Sequence, residues 1–316
     1  MNEEELRKQQ KDHIFRKGSR YKIPIYLFFI LVCISYIVPL MLIVSASLSS
    51  EAALSTTVGG NGRFSLFPQQ FTLDAYRLAF KNPGPVLQAY FITAAQSIVG
   101  TVLSCIVCGM IAYAISRSSF SWRRLITFIV FFTMLFGGGT IPTYIIYTKY
   151  YGLGNSFWIY ILPGITGGAW NTLMIRTFFR QLPHSLFESA KLDGATELTI
   201  FAKIAVPLSK PIFATISFMC LIGKWQDWNT SLLYIRNDKL YTIQYFLQKI
   251  LMEQEFLKRL STDSELAGIT SQIQASQPAE TLKYALCIIA AGPMMLVFPL
   301  FQKYLVKGIT VGSVKE

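Results

Sequence analysis

Long stretches of the chain contain no Asp, Glu, Lys or Arg: between Lys22 and Glu51, Lys81 and Arg117, Arg124 and Lys149, and Lys149 and Arg176. Each can supply the ~20 apolar residues that carry an α-helix across a hydrocarbon core of roughly 30 Å. Residues 211–235 are apolar except for a few polar groups that include Lys224 and Asp227, and Tyr284 to Gln302 carries no charge. The pattern predicts an all-α, polytopic membrane protein with six transmembrane helices, near residues 25–47, 86–115, 125–148, 157–178, 211–235 and 282–303. Between the spans, Ile243, Phe246, Leu247, Ile250 and Leu251 recur at the spacing of one helical face, with Gln244, Gln248, Lys249 and Glu253 elsewhere around it. That is an amphipathic helix, followed by a polar return from Thr262 to Pro278. Thr72 to Tyr76 reads as a capped helix start, with Thr72 accepting from first-turn amides and Asp74 favouring the positive helix end.

Composition agrees with this class. The chain is 52% hydrophobic and only 15% charged, against about 25% charged in soluble domains. That excludes a disordered chain and a small disulfide scaffold. The net charge of +12 sorts by side: the predicted inner segments hold 18 Lys and Arg and the outer segments 9 when the N-terminus is inside. Basic residues are retained in the cytoplasm. The excess is therefore a topology signal rather than a nucleic-acid surface, and both termini are expected in the cytoplasm. The expected organisation is a cytoplasmic tail (1–22), a six-helix transmembrane domain (23–306) with an outer segment at 236–280, and a cytoplasmic tail (307–316). Ser45-Ala46-Ser47 resembles a cleavage site, but the apolar run before it exceeds the ~7–15 residues of a signal-peptide core, so an uncleaved first helix is expected.

Candidate chemistry is sparse. Cys33, Cys105, Cys108, Cys220 and Cys287 all fall in predicted helices, where Cys behaves as a small apolar residue. With only His13 and His184 as imidazoles, no metal site is expected. Lys224 and Asp227 are each costly near mid-membrane, about 2.5–3.5 kcal/mol on insertion scales. Three residues apart on one helix they can pair. The run Lys224, Trp225, Gln226, Asp227, Trp228 and Asn229 then reads either as a polar, aromatic-lined pathway face or as interfacial anchoring plus a helix-joining pair. Gly137, Gly138 and Gly139 before Pro142 suggest a bent or closely packed helix end.

The inner loop between the fourth and fifth predicted spans is the most specific segment. Glu188-Ser189-Ala190-Lys191-Leu192-Asp193-Gly194-Ala195 is followed by Phe201, Ile204, Pro207 and Pro211. It reads as helix, turn, helix. Leu182 to Leu192 forms the first helix, and Gly194 suits a left-handed terminating position. A second helix starts near Ala195, with Leu198, Phe201 and Ile204 as an apolar stripe, until Pro207 breaks it. Such an element suits a cleft on a partner protein or an amphipathic lie on the membrane surface.

These residues resemble the cytoplasmic loop of ABC importer permeases, a Glu-Ala-Ala motif leading to Asp-Gly-Ala, then Phe, Ile and two prolines. Ser189 stands where the first Ala is usual. The resemblance implies a coupling helix (182–206) docked on an ATP-binding subunit, carried by Glu188, Ser189, Ala190, Asp193, Gly194, Ala195, Phe201, Ile204 and Pro207. Pro299 to Tyr304 and the Gly-rich tail with Gly308, Gly312, Ser313 and Lys315 look like the sugar-importer branch, whose tails reach between the ATPase subunits. Gly137 to Arg180, with Ile141-Pro142-Thr143-Tyr144 and Leu162-Pro163-Gly164, is similar to permeases for complex oligosaccharides of the lipo-oligosaccharide and aldouronate type. The implied partners are a second homologous permease subunit, two ATP-binding subunits, an extracytoplasmic sugar-binding protein and membrane lipids, in the bacterial cytoplasmic membrane. No cofactor is expected on this chain, because ATP and Mg would be used by the partner ATPase. Consistent with that division, the sequence has no G-x-x-x-x-G-K-[ST] phosphate loop. An ABC permease for another small solute is the nearest rival. An ion-coupled secondary transporter would need an internal repeat and membrane carboxylates beyond Asp227, and a membrane enzyme would need a catalytic cluster.

Overall fold

A computed structural model describes residues 3–50, 53–54, 66–68, 70–81, 83–261 and 280–311. The predicted return from Thr262 to Pro278 and the tail residues Gly312, Ser313 and Lys315 lie outside the described residues. All regular structure among the described residues is helical, apart from an isolated antiparallel bridge between Ser49 and Phe71.

The helices are α1 (Glu3–Ser47), α2 (Asp74–Ala79), α3 (Pro83–Ser116), α4 (Arg123–Leu135), α5 (Thr140–Ile145), α6 (Ala169–Phe179) and α7 (His184–Leu192). They continue as α8 (Glu197–Ile200), α9 (Val206–Leu208), α10 (Lys210–Trp225), α11 (Asn229–Tyr234), α12 (Ile243–Ser261) and α13 (Glu280–Val311). Single π-turns join α5 to Tyr150 and α8 to α9.

Among the described residues three segments are long and apolar enough to cross a membrane as single helices: Pro24–Ser47, Pro83–Ser116 and Thr281–Gln302. Two more qualify only as bent pairs, Arg123–Leu135 with Thr140–Tyr150 at 113° and Glu197–Leu208 with Lys210–Trp225 at 84°. Counting each pair as one span gives five among the described residues, by length and composition. The fourth predicted helix, 157–178, departs furthest from a continuous span. It comprises two 3-10 turns, Phe157–Tyr160 and Leu162–Gly164, and then the short α6. Pro163 lacks an amide donor, and Gly167 and Gly168 sit at φ +69° and +82°, a region other residues rarely adopt. Freedom from charge permits a span but does not guarantee an unbroken helix. The fifth predicted span likewise stops at Trp225 and resumes as α11. The glycine run behaves as expected, since the first bend falls at Gly137 to Gly139, with Gly139 at φ +82°.

The chain divides into two units, Met1–Ala79 with Pro278–Ile288, and Phe80–Gln277 with Ile289–Glu316. Within the first, Thr72 Oγ1 accepts the Asp74 amide at 3.0 Å, the expected cap of α2. Residues 3–22 are helical and continuous with the first span. In the second unit α3 is central and packs chiefly on α6 and α10. Its outward side chains are apolar, Leu87, Phe91, Ile98, Val102, Ile106 and Met110, and all are exposed. The inward face carries Thr93, Gln96, Ser97, Gly100, Thr101 and Ser104, all buried. This is the reverse of a soluble helix and suits a lipid solvent, in which small and polar residues join helices. The amphipathic α12 forms as predicted, with Ile243 buried against Val86, Ala89 and Ala290 and with Phe246 and Leu247 beside them.

Candidate functional site

The motif segment folds into a hairpin of short helices. The Asp193-Gly194-Ala195 turn closes α7 with two backbone bonds, Gly194 N to Lys191 O at 3.0 Å and Ala195 N to Ala190 O at 2.9 Å. With Gly194 at φ +78° this is a Schellman closure. Space around Gly194 is open, with nothing within 4 Å of where a Cβ would stand. Backbone conformation therefore demands glycine there, not crowding. Thr196 then caps α8 by accepting the Thr199 amide at 3.3 Å. Pro207 does not end the second helix as expected. The π-turn at Phe201–Ala205 shifts the hydrogen-bond register just before the proline, and helix continues to Leu208 before the 84° bend. Insertions of this kind re-satisfy backbone where a proline withholds its amide.

One side of the hairpin is fastened to the helical core. Phe187, Ala190, Ile200 and Ala205 are buried in a cluster with Cys108, Ala112, Tyr113, Ile175 and Phe179. Phe201 and Ile204 pack on the same cluster, Phe201 with its ring centroid 5.4 Å from that of Tyr113. The predicted stripe of Leu198, Phe201 and Ile204 is thus split, its last two members facing inward. Tyr113 Oη donates to Glu197 Oε2 at 2.6 Å, and Lys191 Nζ pairs with Glu197 Oε1 at 2.6 Å. Glu197 therefore ties α8 both to α3 and to α7. The sequence reading missed Tyr113 and Glu197, and their separation along the chain gave no signal.

The other side of the hairpin is bare. Leu192 is 90% exposed and Leu198 65% exposed, on either side of the Gly194 turn. Glu188, Ser189, Asp193 and Pro207 are exposed as well. A surface leucine at that level has given up nearly all of its burial energy, roughly 1.5–3 kcal/mol for a fully buried side chain.

The second group of interest surrounds Lys224. The predicted Lys224–Asp227 pair does not form. Lys224 Nζ instead donates to the Tyr160 carbonyl at 3.2 Å, and its stem lies over Gly100, where a Cβ would stand 2.6 Å from Lys224 Cε. Asp227 Oδ1 accepts the Thr230 amide at 3.0 Å and Oδ2 the Thr230 hydroxyl at 2.6 Å, so this carboxylate caps α11. The chain turns out of α10 after Trp225, which takes Asp227 off the face that carries Lys224. Trp225 also leaves the predicted pathway face: it is 6% exposed and donates Nε1–H to the Ala290 carbonyl at 3.0 Å. Trp228 is half-buried and Asn229 exposed. The run of six polar and aromatic residues is therefore dispersed into separate tasks.

What gathers at Lys224 comes from elsewhere in sequence. Gln96 Nε2 donates to the Lys224 carbonyl at 2.8 Å, and Ser104 Oγ donates to the Gly164 carbonyl at 2.7 Å. Among the described residues Gln96 Oε1, Ser97 Oγ and Thr101 Oγ1 are buried without a hydrogen-bond partner. Each such atom costs about 1–3 kcal/mol, and clusters of them mark places held for ligand or water. The signal was present as Thr, Gln, Ser, Gly, Thr and Ser at helical spacing within an apolar helix. The cysteines stay in the packing role expected of them: all five are free, and Cys108 meets the Thr172 hydroxyl at 3.3 Å.

Apolar spans, a helix with its polar face turned inward and a fastened but bare helical hairpin define a membrane-embedded transport component. The chain belongs to the family described as binding-protein-dependent transport system inner membrane component, which matches residues 105–311. Protein LplC of Bacillus subtilis is 36% identical over 88% of this chain and 89% of its own length. The polygalacturonan/rhamnogalacturonan transport system permease protein YtcP, also of Bacillus subtilis, is 33% identical over 95% of this chain and 99% of its own. A chain from the crystal structure of a bacterial ABC transporter involved in the import of the acidic polysaccharide alginate superposes with a TM-score of 0.75 at 29% identity, covering 92% of this chain and 98% of that one. The protein is therefore a multi-pass, non-catalytic transport subunit of the plasma membrane, working with an ATP-hydrolysing partner and a substrate-binding protein.

Proposed function

We propose that this chain is one of two permease subunits in an ATP-driven importer of oligosaccharides, and that the hairpin around Gly194 docks on the ATP-binding subunit. The observation that carries the docking assignment is the bare leucine pair, Leu192 and Leu198, on a hairpin whose opposite side is locked to α3. A surface of that kind transmits force: the partner grips the leucines, and Tyr113, Phe187 and Glu197 pass the displacement to the helical core. Closure of the ATPase subunits on ATP moves the hairpin as a lever, the helices switch to outward opening, the binding protein releases its sugar, and hydrolysis resets the cycle. Both termini lie in the cytoplasm on this reading. The tail from Gly308 through Gly312, Ser313 and Lys315 reaches the ATPase.

The cargo pathway runs along the polar face of α3. Lys224 with Gln96, Ser97 and Thr101 forms its wall, while Trp225 and Asp227 hold the fold around it. The single ammonium of Lys224 on this face favours sugars that carry a carboxylate, and the similar alginate importer takes an acidic polysaccharide. The test is uptake by the reconstituted importer of a panel of neutral and uronate-containing oligosaccharides, each with its binding protein. Preference for uronates that disappears in Lys224→Met supports both cargo and wall. Equal transport of neutral and acidic sugars by wild type removes the assignment to Lys224.

A further inference from the structure

Where α3 ends and α4 begins, a cavity of about 460 Å³ opens beside the hairpin. Its polar rim is made of Arg123, Arg124, Arg176 and Arg180, and Phe128 and Phe131 form its apolar wall. Among the described residues none of these arginines pairs with a carboxylate. Arg176 spends one donor on the Ile115 carbonyl at 3.3 Å. Four guanidinium groups facing one space repel each other, and among the described residues no carboxylate lines the cavity. Phe128 and Phe131 are 63% and 46% exposed on the lipid-facing side of α4. Arg123 opens α4, so the positive end of a 13-residue helix adds to the same field.

We propose that this cavity binds an acidic glycerophospholipid, with the headgroup phosphate held by Arg123, Arg176 and Arg180 and an acyl chain laid along Phe128 and Phe131. Guanidinium forks match phosphate oxygens in pairs, and basic pockets between helices at the cytoplasmic face suit anionic headgroups. The apolar wall is what selects a lipid over a free anion. Arg123 and Arg180 also line a second, smaller cavity of about 150 Å³ with Arg117, His184 and Phe187. Arg117 lies over the Phe187 ring at 4.1 Å from its centroid, and its Nε is buried without a partner. The lipid thus sits against the root of the hairpin, where its charge steadies the element that moves in coupling.

The test uses the complete importer purified in detergent and examined by native mass spectrometry with added phosphatidylglycerol or phosphatidylcholine. Wild type is expected to retain phosphatidylglycerol preferentially. Arg123→Gln combined with Arg176→Gln and Arg180→Gln should lower that retention roughly tenfold or more, and the matching triple Lys variant should restore most of it. Equal retention of the two lipids by wild type overturns the proposal. So does undiminished phosphatidylglycerol in the Gln variant accompanied by loss of the ATP-binding subunit, which would give the arginines to a protein partner. Should the triple variant fail to accumulate, the wild-type preference and the exposed pair Arg124→Gln with Arg180→Gln decide by the same criterion. Retention of lipid does not depend on the docking role of Leu192, so the two readings fail separately.

Discussion

The hairpin at residues 182–208 and the seam at Lys224 use the same kinds of residue in opposite senses. In the hairpin, some apolar side chains pack on the core while others are exposed, Leu192 and Leu198 most of all. In the seam, polar side chains of α3 face inward and apolar ones face lipid. A single exposed leucine is common in water, but two nearly bare leucines flanking one turn are not. Buried Ser and Thr are usual where membrane helices meet, but polar atoms left there without partners, as at Ser97 and Thr101, are not. The informative residues in each region are those that its own solvent does not explain.

Substitutions can press on that contrast. The largest effect is expected for Leu192→Asp with Leu198→Asp: uptake abolished, the ATP-binding subunit lost on co-purification, and amounts of permease in the membrane unchanged. Uptake and co-purification that persist would make the leucines incidental. Gly194→Val comes next. The left-handed residue then costs about 1–2 kcal/mol, and with open space around it the strain is local, so folding should survive while uptake falls and ATP hydrolysis loses its dependence on the binding protein.

On the seam side, Gly100→Val drives a side chain into the position of Lys224. It should reproduce the transport phenotype of Lys224→Met, because both displace the same ammonium; a Gly100→Val protein with wild-type cargo preference would separate them. Smaller again is Tyr113→Phe, which removes one hydrogen bond to Glu197. A bond to a charged group contributes about 1.5–3 kcal/mol, discounted here because Glu197 is half exposed. A thermal shift of a few degrees, with coupling partly retained, is the expected reading. Asp227→Asn is expected to have the least effect on transport. An Asn Oδ1 can still accept the Thr230 amide, so the cap of α11 is largely kept. Stability should change little and cargo preference not at all, whereas altered preference would return Asp227 to the pathway.

Much of this was legible in the sequence, and the exceptions have physical causes. Charge-free stretches pointed to the spans, because a charge is costly anywhere in a hydrocarbon core. They could not show that Pro163, Gly167 and Gly168 break the fourth, since chain breakers are as apolar as the helix formers around them. Gly194 was readable because a left-handed closure depends on immediate neighbours. Lys224 and Asp227 were not, because a turn after Trp225 separates side chains that an unbroken helix would bring together. The inward Phe201 and Ile204 depended on where Tyr113 and Phe179 lie, a tertiary fact that a periodic stripe does not contain.

The central claim is that the bare side of the Gly194 hairpin meets the ATP-hydrolysing partner. The most direct measurement places a cysteine at Leu192 in an importer whose five native cysteines have been replaced. A short bifunctional reagent is then added to membranes, with a cysteine at Ile141, itself 75% exposed, as control. An adduct between the Leu192 position and the ATP-binding subunit, sensitive to ATP and missing from the Ile141 control, is the expected result. Absence of that adduct from a fully active importer, at Leu192 and again at Leu198, would contradict the docking surface.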